Sequence, residues 1–253
     1  MRNRLHQLSG PFLLFVFVVL LSATARAQYT ETVLYNFCPG GGGCSDGSYP
    51  WVGLIADAQG NLYGTTVGGG ANNLGTVFEL SPPGRGAGPW TEAVLYSFCS
   101  QSNCSDGAYP YAGLILDSQG NLYGTAADGG ANNDGTVFEL SPPAGGNGPW
   151  TYTLLYMFGG GNVGQNPYAG VIFDSQQKNL YGTPAGGGAA NGGTVFELSP
   201  PSAGTGPWTE NLLHSFGGQN DGTNPFAGLT FDSQGNLYGT TESGGQRYRW
   251  HCI

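Results

Sequence analysis

The sequence has few charged residues, and positively charged ones are the scarcest. Only 9% of its 253 residues are charged, and seven Lys and Arg stand against 16 Asp and Glu. Because proteins bind phosphate groups through clustered Lys and Arg, we expect no nucleic acid or anionic lipid among its partners.

The chain also lacks stretches in which a long helix could form. It contains 47 Gly and 16 Pro, and Gly loses much backbone entropy on ordering while Pro cannot occupy a helix interior. Hydrophobic residues make up 39% and aromatic residues 13% of the chain, which argues against a disordered protein. The composition therefore predicts a Gly-rich, all-β globular fold.

The longest apolar run, residues 12–21, is about half as long as the roughly 20 residues that a membrane-spanning helix needs. Arg2 and Arg4 precede it, and Ala25 and Ala27 follow it, as is typical of a secretory signal peptide. We predict that residues 1–27 are a signal peptide and that the mature chain is exported without a membrane span.

One sequence unit is repeated nearly four times along the chain. Asn-Leu-Tyr-Gly-Thr begins at Asn61, Asn121, Asn179 and Asn236. Gly-Thr-Val-Phe-Glu-Leu begins at Gly75, Gly135 and Gly193, each time followed by Ser-Pro-Pro. A fixed spacing of about 60 residues is the mark of a repeat architecture.

Each unit contains four short segments of strand character, in the first unit residues 53–57, 61–66, 76–80 and 91–98. Asp57 and Gly60 give the first pair a hairpin turn, and Ser-Pro-Pro ends the third strand. In the third unit the turn from Asp174 to Asn179 is longer, which predicts a looser turn.

Four antiparallel strands at fixed spacing, without an intervening helix, are typical of a propeller blade. We predict an all-β, β-propeller-like array of four-stranded antiparallel blades, with three full repeats and a partial fourth. The repeats cover about residues 38–98, 99–158, 159–216 and 217–245.

These repeated motifs resemble the GloVer (Gloeo_Verruco) tandem repeat, a choice-of-anchor family of exported bacterial proteins. The similarity covers about residues 30–245 and includes a Gly-Gly pair in each unit, at Gly69-Gly70, Gly129-Gly130, Gly187-Gly188 and Gly244-Gly245. The resemblance implies a secreted or cell-envelope bacterial protein with propeller-like repeats over residues 28–245. It implies no established catalytic activity and supplies no catalytic residues.

The repeat is lost after Gly245. An ungapped overlay of Thr240 on Thr65 places residues 250–253 where residues 75–78 stand in the first unit. We interpret residues 246–253 as an aberrant tail of a truncated or frame-shifted chain, the alternative being a shorter tail that replaces the last strands. Open sheet edges invite pairing with other chains, so we expect the purified mature chain to self-associate.

Nothing in the sequence singles out catalytic, metal-binding or cofactor-binding residues. His214 stands where other units have Tyr, which predicts a packed strand residue. The acids recur with the repeat, which marks them as architecture: Glu79, Glu139, Glu197, Asp57, Asp117, Asp174 and Asp232. We therefore predict no catalytic residues, no metal and no cofactor.

The link between consecutive units carries an Asp-Gly turn and a Pro-aromatic pair. The predicted ligand-binding residues are the aromatics Trp51, Tyr111, Tyr168 and Phe226 and the acids Asp46, Asp106 and Asp221. Beside a propeller channel the aromatics could stack on a sugar or peptide. The alternative is that they fill gaps between blades.

The sequence thus favours an exported, non-catalytic propeller that binds an extracellular glycan or protein. Two alternatives stay open. One is a propeller enzyme acting on extracellular glycans or lactones, and the other is a non-functional fragment of a longer repeat protein.

Two pairs of cysteines bracket matching loops and predict local disulfides, Cys38 with Cys44 and Cys99 with Cys104. Export to an oxidising compartment favours such bonds. Peptide mapping without reduction is expected to recover both pairs intact. Free thiols at either pair, or a bond between Cys38 and Cys99, would contradict the assignment.

Overall fold

The computed structural model describes residues 30–84, 88–146, 148–202, 204, 206–218, 221–244 and 251–252. Contacts divide the chain into two units, Met1–Val33 and Leu34–Ile253. The predicted signal peptide, residues 1–27, lies outside the described residues, as do residues 246–250 of the predicted tail. In the first unit, residues 30–33 form neither helix nor strand.

The second unit contains three antiparallel four-stranded sheets whose strands are neighbours in chain order. The first sheet consists of β1 (Ile55–Ala56), β2 (Leu62–Thr66), β3 (Thr76–Ser81) and β4 (Thr91–Ser97). The second consists of β5 (Ile115–Leu116), β6 (Leu122–Ala126), β7 (Thr136–Ser141) and β8 (Thr151–Met157). The third consists of β9 (Ile172–Phe173), β10 (Leu180–Gly182), β11 (Thr194–Ser199) and β12 (Thr209–Ser215).

These sheets confirm the predicted all-β class and the four antiparallel strands of each full repeat. The described ranges contain no α-helix, and Ser102–Cys104 form a short 3-10 turn. None of the described residues belongs to a helix long and apolar enough to cross a membrane.

The fourth repeat forms short strand pairs. β14 (Thr230–Phe231) pairs with β15 (Leu237–Tyr238), and β13 (Gly222–Thr223) pairs with β17 (Ser243–Gly244). β16 (Thr240–Thr241) pairs with β18 (His251–Cys252). Thr241 lies opposite His251 as Thr66 lies opposite Thr76, so residues 251–252 of the predicted aberrant tail pair at the position of a third strand.

The hairpin turn of each repeat is built around one aspartate. Asp57 accepts hydrogen bonds from the backbone N–H groups of Gln59 and Asn61, both at 2.9 Å, and from the Tyr63 hydroxyl at 3.0 Å. In the third repeat the extra residue moves the Asn179 side chain away from the aspartate, and its Nδ2 donates to Glu197 at 2.7 Å. The longer turn therefore has a different hydrogen-bond pattern.

A β-bulge interrupts the fourth strand of every sheet. Val77 lies opposite Tyr96 but Phe78 lies opposite Val94, so Leu95 is an extra residue. The same shift occurs in the other two sheets. The bulge turns Leu95 and Tyr96 to the core and leaves Val94 36% exposed, so the side chains of this strand do not alternate regularly between its two faces.

The core lies between consecutive sheets. One cluster joins the first and second sheets and another joins the second and third. Leu122 belongs to the first cluster and its neighbour Tyr123 to the second, since consecutive side chains of a strand point to opposite faces. The second sheet is therefore buried on both faces.

The Phe that follows the fourth strand packs into the next sheet. Phe98 lies 5.2 Å from Phe138 and Phe158 lies 5.3 Å from Phe196, measured between ring centroids. Ahead of the first sheet, Phe37 lies 4.7 Å from Phe78 in the same way. We call these three contacts the Phe ladder.

A glycine in the second strand makes room for each ladder ring. A Cβ atom on Gly124 would lie 2.7 Å from Cζ of Phe138, closer than packed carbon atoms approach. Gly64 and Gly182 stand in the same relation to Phe78 and Phe196. The Gly of Leu-Tyr-Gly-Thr is thus explained by packing.

We expect Phe138→Ala to lower the free energy of unfolding by about 3–5 kcal/mol, because Phe138 is fully buried between Phe98 and Tyr152. Urea denaturation measures the loss. Leu213→Ala, at a side chain that is 44% exposed, is the control and should cost less than about 1 kcal/mol. Equal losses in the two variants would show that the ladder is not central to stability.

Candidate functional site

The four predicted aromatic residues form a continuous row with one ring from each repeat. Ring centroids lie 6.4 Å apart for Trp51 and Tyr111, 5.4 Å for Tyr111 and Tyr168, and 5.3 Å for Tyr168 and Phe226. We call these four residues the aromatic row.

Exposure differs along the row. Trp51 is 71% exposed and Phe226 is 45% exposed, whereas Tyr111 and Tyr168 are half-buried. Trp51 therefore has too much free surface to fill a gap between sheets, and the two middle rings are partly covered. The rings are tilted against one another, with interplanar angles of 88°, 59° and 48° along the row.

The backbone of the row is held between neighbouring repeats. The Thr65 hydroxyl donates to the Ala112 carbonyl at 2.9 Å, directly after Tyr111 in the chain. Thr125 and Thr183 donate in the same way to Ala169 and Ala227. These bonds tie the segments that lead into β5 and β9 to the preceding repeat.

The proline before each of the last three rings is packed against a glycine of the preceding repeat. A Cβ on Gly75, whose φ is +102°, would lie 2.5 Å from Cδ of Pro110. Gly135 meets Pro167 and Gly193 meets Pro225 with the same closeness. Tyr111, Tyr168 and Phe226 are therefore each positioned by two repeats.

The predicted acidic residues have internal partners. Asp106 is fully buried, and its Oδ2 accepts hydrogen bonds from the Tyr96 hydroxyl at 2.6 Å and the Ser100 backbone N–H at 2.9 Å. Asp46 accepts from the Tyr35 hydroxyl at 3.1 Å and from the Cys38 N–H at 2.9 Å. Asp106 has no exposed surface and therefore offers a ligand no oxygen, whereas Asp46 is half-buried and the Asp221 side chain is 22% exposed.

His214 and Asp221 repeat this arrangement in the last unit. His214 Nε2 lies 2.9 Å from Asp221 Oδ2, and its ring packs edge-on against Phe216 at 4.7 Å. The His214 side chain is 48% exposed, more than a packed strand residue would be. Tyr96, its counterpart in the first unit, is stacked on Tyr152 of the next sheet, and no described residue covers His214 in that way.

Glu92 is a residue that the sequence analysis missed. It occupies in β4 the position of Tyr152 in β8, whose hydroxyl donates to the Asp106 carbonyl at 2.6 Å. Burial, with a further contribution from the Asp46 charge, raises the pKa of Glu92 to about 7. Its Oε1 is buried and has no hydrogen-bond partner in the part of the chain described. Glu210 occupies the same position in β12, so Tyr152 is the exception among the three sheets. A Glu that recurs at this strand position in two of the three sheets was the available signal.

Both expected disulfides are present, Cys38–Cys44 and Cys99–Cys104. The backbone of Cys252 in β18 pairs with Thr240 in β16. Within the described ranges, no group of three or more His, Cys, Asp and Glu side chains could hold a metal ion.

The sequence model of the Gloeobacter/Verrucomicrobia repeat matches residues 19–147 and 90–249, two overlapping stretches that together span most of the chain. The chain belongs to the Gloeobacter/Verrucomicrobia repeat family. This membership confirms the family resemblance that the repeated sequence motifs indicate. No protein of curated function matches the sequence.

A search of solved structures gives a distant similarity to a bifunctional GH43-CE protein from Bacteroides eggerthii. The two share 16% sequence identity with a TM-score of 0.39, over 79% of this chain and 23% of that one. This chain therefore spans less than a quarter of the length of that protein, and a similarity this low carries no functional argument.

The raised pKa of Glu92 predicts a pH-dependent stability. Between pH 4.5, the ordinary pKa of Glu, and about pH 7, Glu92 is protonated in the folded chain but ionised in the unfolded chain. The folded chain therefore binds more protons in this pH range. The free energy of unfolding should therefore fall as pH rises from 5 to 8. Burial also raises the pKa of Glu210 and Asp128, which adds to the same slope.

Urea denaturation at pH 5 and pH 8 measures the effect. Glu92→Gln should flatten the pH dependence and stabilise the protein at pH 8 relative to wild type. Glu242→Gln, at an exposed position, is the matched control and should leave the slope unchanged. A Glu92→Gln variant with the wild-type slope would show that Glu92 ionises normally.

Proposed function

We propose that this protein is an exported, non-catalytic, propeller-like repeat protein that binds an extracellular glycan through the aromatic row. The observation that carries the proposal is the continuous contact of Trp51, Tyr111, Tyr168 and Phe226, one ring from each repeat. A row with a regular repeat matches a ligand with a regular repeat, such as a polysaccharide.

The chemistry of the row supports a sugar ligand. Aromatic faces stack on the flat apolar faces of sugar rings, and Tyr and Trp add a polar edge that can reach sugar hydroxyls. The two ends of the row are its most exposed members, so a ligand longer than the row could continue past them. Rigid backbone support reduces the entropy that binding would otherwise cost.

Export is supported by the pairing of four cysteines, since disulfides persist in oxidising compartments. The propeller-like arrangement is supported by three sheets of identical strand order, each packed on the next through the Phe ladder. Blades of this kind present their connecting loops on a common face, where propellers place binding sites.

Trp51→Ala and Phe226→Ala are expected to weaken glycan binding about fivefold to tenfold each, which corresponds to roughly 1 kcal/mol of lost stacking. Because Trp51 is 71% exposed, its removal should change the free energy of unfolding by less than about 1 kcal/mol. A glycan array followed by calorimetry measures affinity, and thermal melting measures stability.

Leu213→Ala is the control for this experiment, since Leu213 is 44% exposed and contributes no ring to the row. It should leave the affinity unchanged. Wild-type affinity in both row variants, combined with a large fall in melting temperature, would assign the row to packing between repeats. Binding of an extracellular protein in place of any glycan would reject the ligand class.

A second candidate, a hydrolase of extracellular glycans or lactones, is favoured by Glu92. A carboxyl whose pKa is raised to about 7, mainly by burial and further by the charge of Asp46, has the pKa of a general acid. The wild-type protein would then hydrolyse chromogenic glycosides or lactones, and Glu92→Gln would abolish turnover. Hydrolysis that is undetectable in the wild type, or equal in both proteins, would reject this candidate.

A further inference from the structure

An open cavity of about 920 Å³ lies at the junction of the first and second repeats. One wall is the loop closed by the Cys38–Cys44 disulfide, and the others are the link to β1 and the loop from β2 to β3. Tyr49 from the first link and Tyr109 from the second both line it. Its size is in the range of small-molecule binding sites.

Tyr49 and Tyr109 have a backbone conformation that Gly and Asn adopt more readily than Tyr. Their φ angles are +58° and +55°, in the left-handed region that side chains other than Gly and Asn rarely adopt. The same position is Asn166 in the third repeat and Asn224 in the fourth, with φ of +54° and +57°. Asn is therefore compatible with the backbone conformation at this position, and the first two repeats have Tyr there instead.

Main-chain hydrogen bonds fix this conformation whichever side chain is present. Tyr109 donates its N–H to the Leu74 carbonyl at 2.9 Å and accepts from the Ala127 N–H at 3.1 Å. Asn166 makes the corresponding bonds with Asp134 and Ala185. Neither Tyr hydroxyl bonds to a described residue, and Tyr49 is 71% exposed. These two side chains are therefore available for a ligand.

Asn73 is a second departure from the repeat pattern at this cavity. In the second and third repeats the equivalent residues use Oδ1 to accept the N–H of Gly129 at 3.0 Å and of Gly187 at 2.9 Å. No such bond to the described Gly69 is made by Asn73, which lines the cavity. Its amide can therefore donate to and accept from a bound molecule.

The lining of the cavity selects the class of ligand. Aromatic rings, amides and a hydroxyl line it, and none of its described lining residues is charged. Ser48 and Gly68 pair their main-chain groups with each other at 2.8 and 3.0 Å, so these two residues offer no free strand edge to an extended peptide. Stacking on rings and hydrogen bonds to uncharged polar groups fit a neutral sugar.

We propose that Tyr49, Tyr109 and Asn73 form a binding site for a neutral oligosaccharide in this cavity. The site is separate from the aromatic row, although Tyr109 lies 6.5 Å from Tyr111 of that row. It belongs to one junction of the chain, because Tyr occupies the left-handed position in the first two repeats only.

Isothermal titration of the exported protein with neutral hexasaccharides of glucose, xylose and mannose tests the site. We expect the double variant Tyr49→Asn/Tyr109→Asn to bind at least tenfold more weakly than wild type. Its urea midpoint should equal or exceed that of wild type, because Asn suits the conserved backbone conformation of this position. Asn73→Ala should weaken binding in the same assay.

The matched control is the reciprocal change, Asn224→Tyr, which should lower the urea midpoint and leave affinity unchanged. Wild-type affinity in the Tyr-to-Asn variant would overturn the proposal, and so would a lowered midpoint in that variant. Failure of every neutral hexasaccharide to bind at millimolar concentration, or preference for an anionic oligosaccharide or a peptide, would also overturn it.

The two binding proposals fail separately. Loss of affinity in Trp51→Ala/Phe226→Ala but not in the Tyr-to-Asn variant would leave the aromatic row as the binding surface and reject the cavity. The opposite result would establish the cavity and remove the row from the proposed function.

Discussion

Each sheet of this protein depends on the burial of a Phe side chain by the sheet that follows it. A two-faced sheet of four short strands cannot cover its own apolar surface, and the Phe ladder supplies the contact that joins one repeat to the next. The glycine of Leu-Tyr-Gly-Thr, the buried Val and Leu of the third strand and the bulge in the fourth strand all serve this contact. Successive sheets therefore stabilise one another as the units of other repeat proteins do.

The residues that recur in every repeat have structural roles. Asp57 and its equivalents hold the hairpin turn, and Thr65 and its equivalents bind the next link. Departures from the repeat are where chemistry can be specific to one place. Tyr152 stands where the first and third sheets have Glu92 and Glu210, and Tyr49 and Tyr109 stand where later repeats have Asn. The uncharged cavity lies at the junction of the first and second repeats.

The position of the aromatic row follows from how the repeats are joined. Pro110 enters a space left by Gly75, and the Thr65 hydroxyl holds the Ala112 carbonyl. Tyr111 is thus placed by the first repeat although it belongs to the second. Because each repeat fixes the ring of the next, a surface of four rings arises from a unit that contributes one.

The sequence by itself determined the all-β class, the four strands of each repeat, the local disulfides and the identity of the aromatic residues. Repeated motifs and turn residues determine structure over short stretches of chain, so the strands and turns they form can be predicted without a structure. Only the tertiary structure decided that the four aromatic rings touch, that Asp106 is buried, that Leu95 forms a bulge and that Glu92 lies near Asp46. These features depend on how one sheet packs against the next, and residues up to about 50 positions apart in the chain meet there.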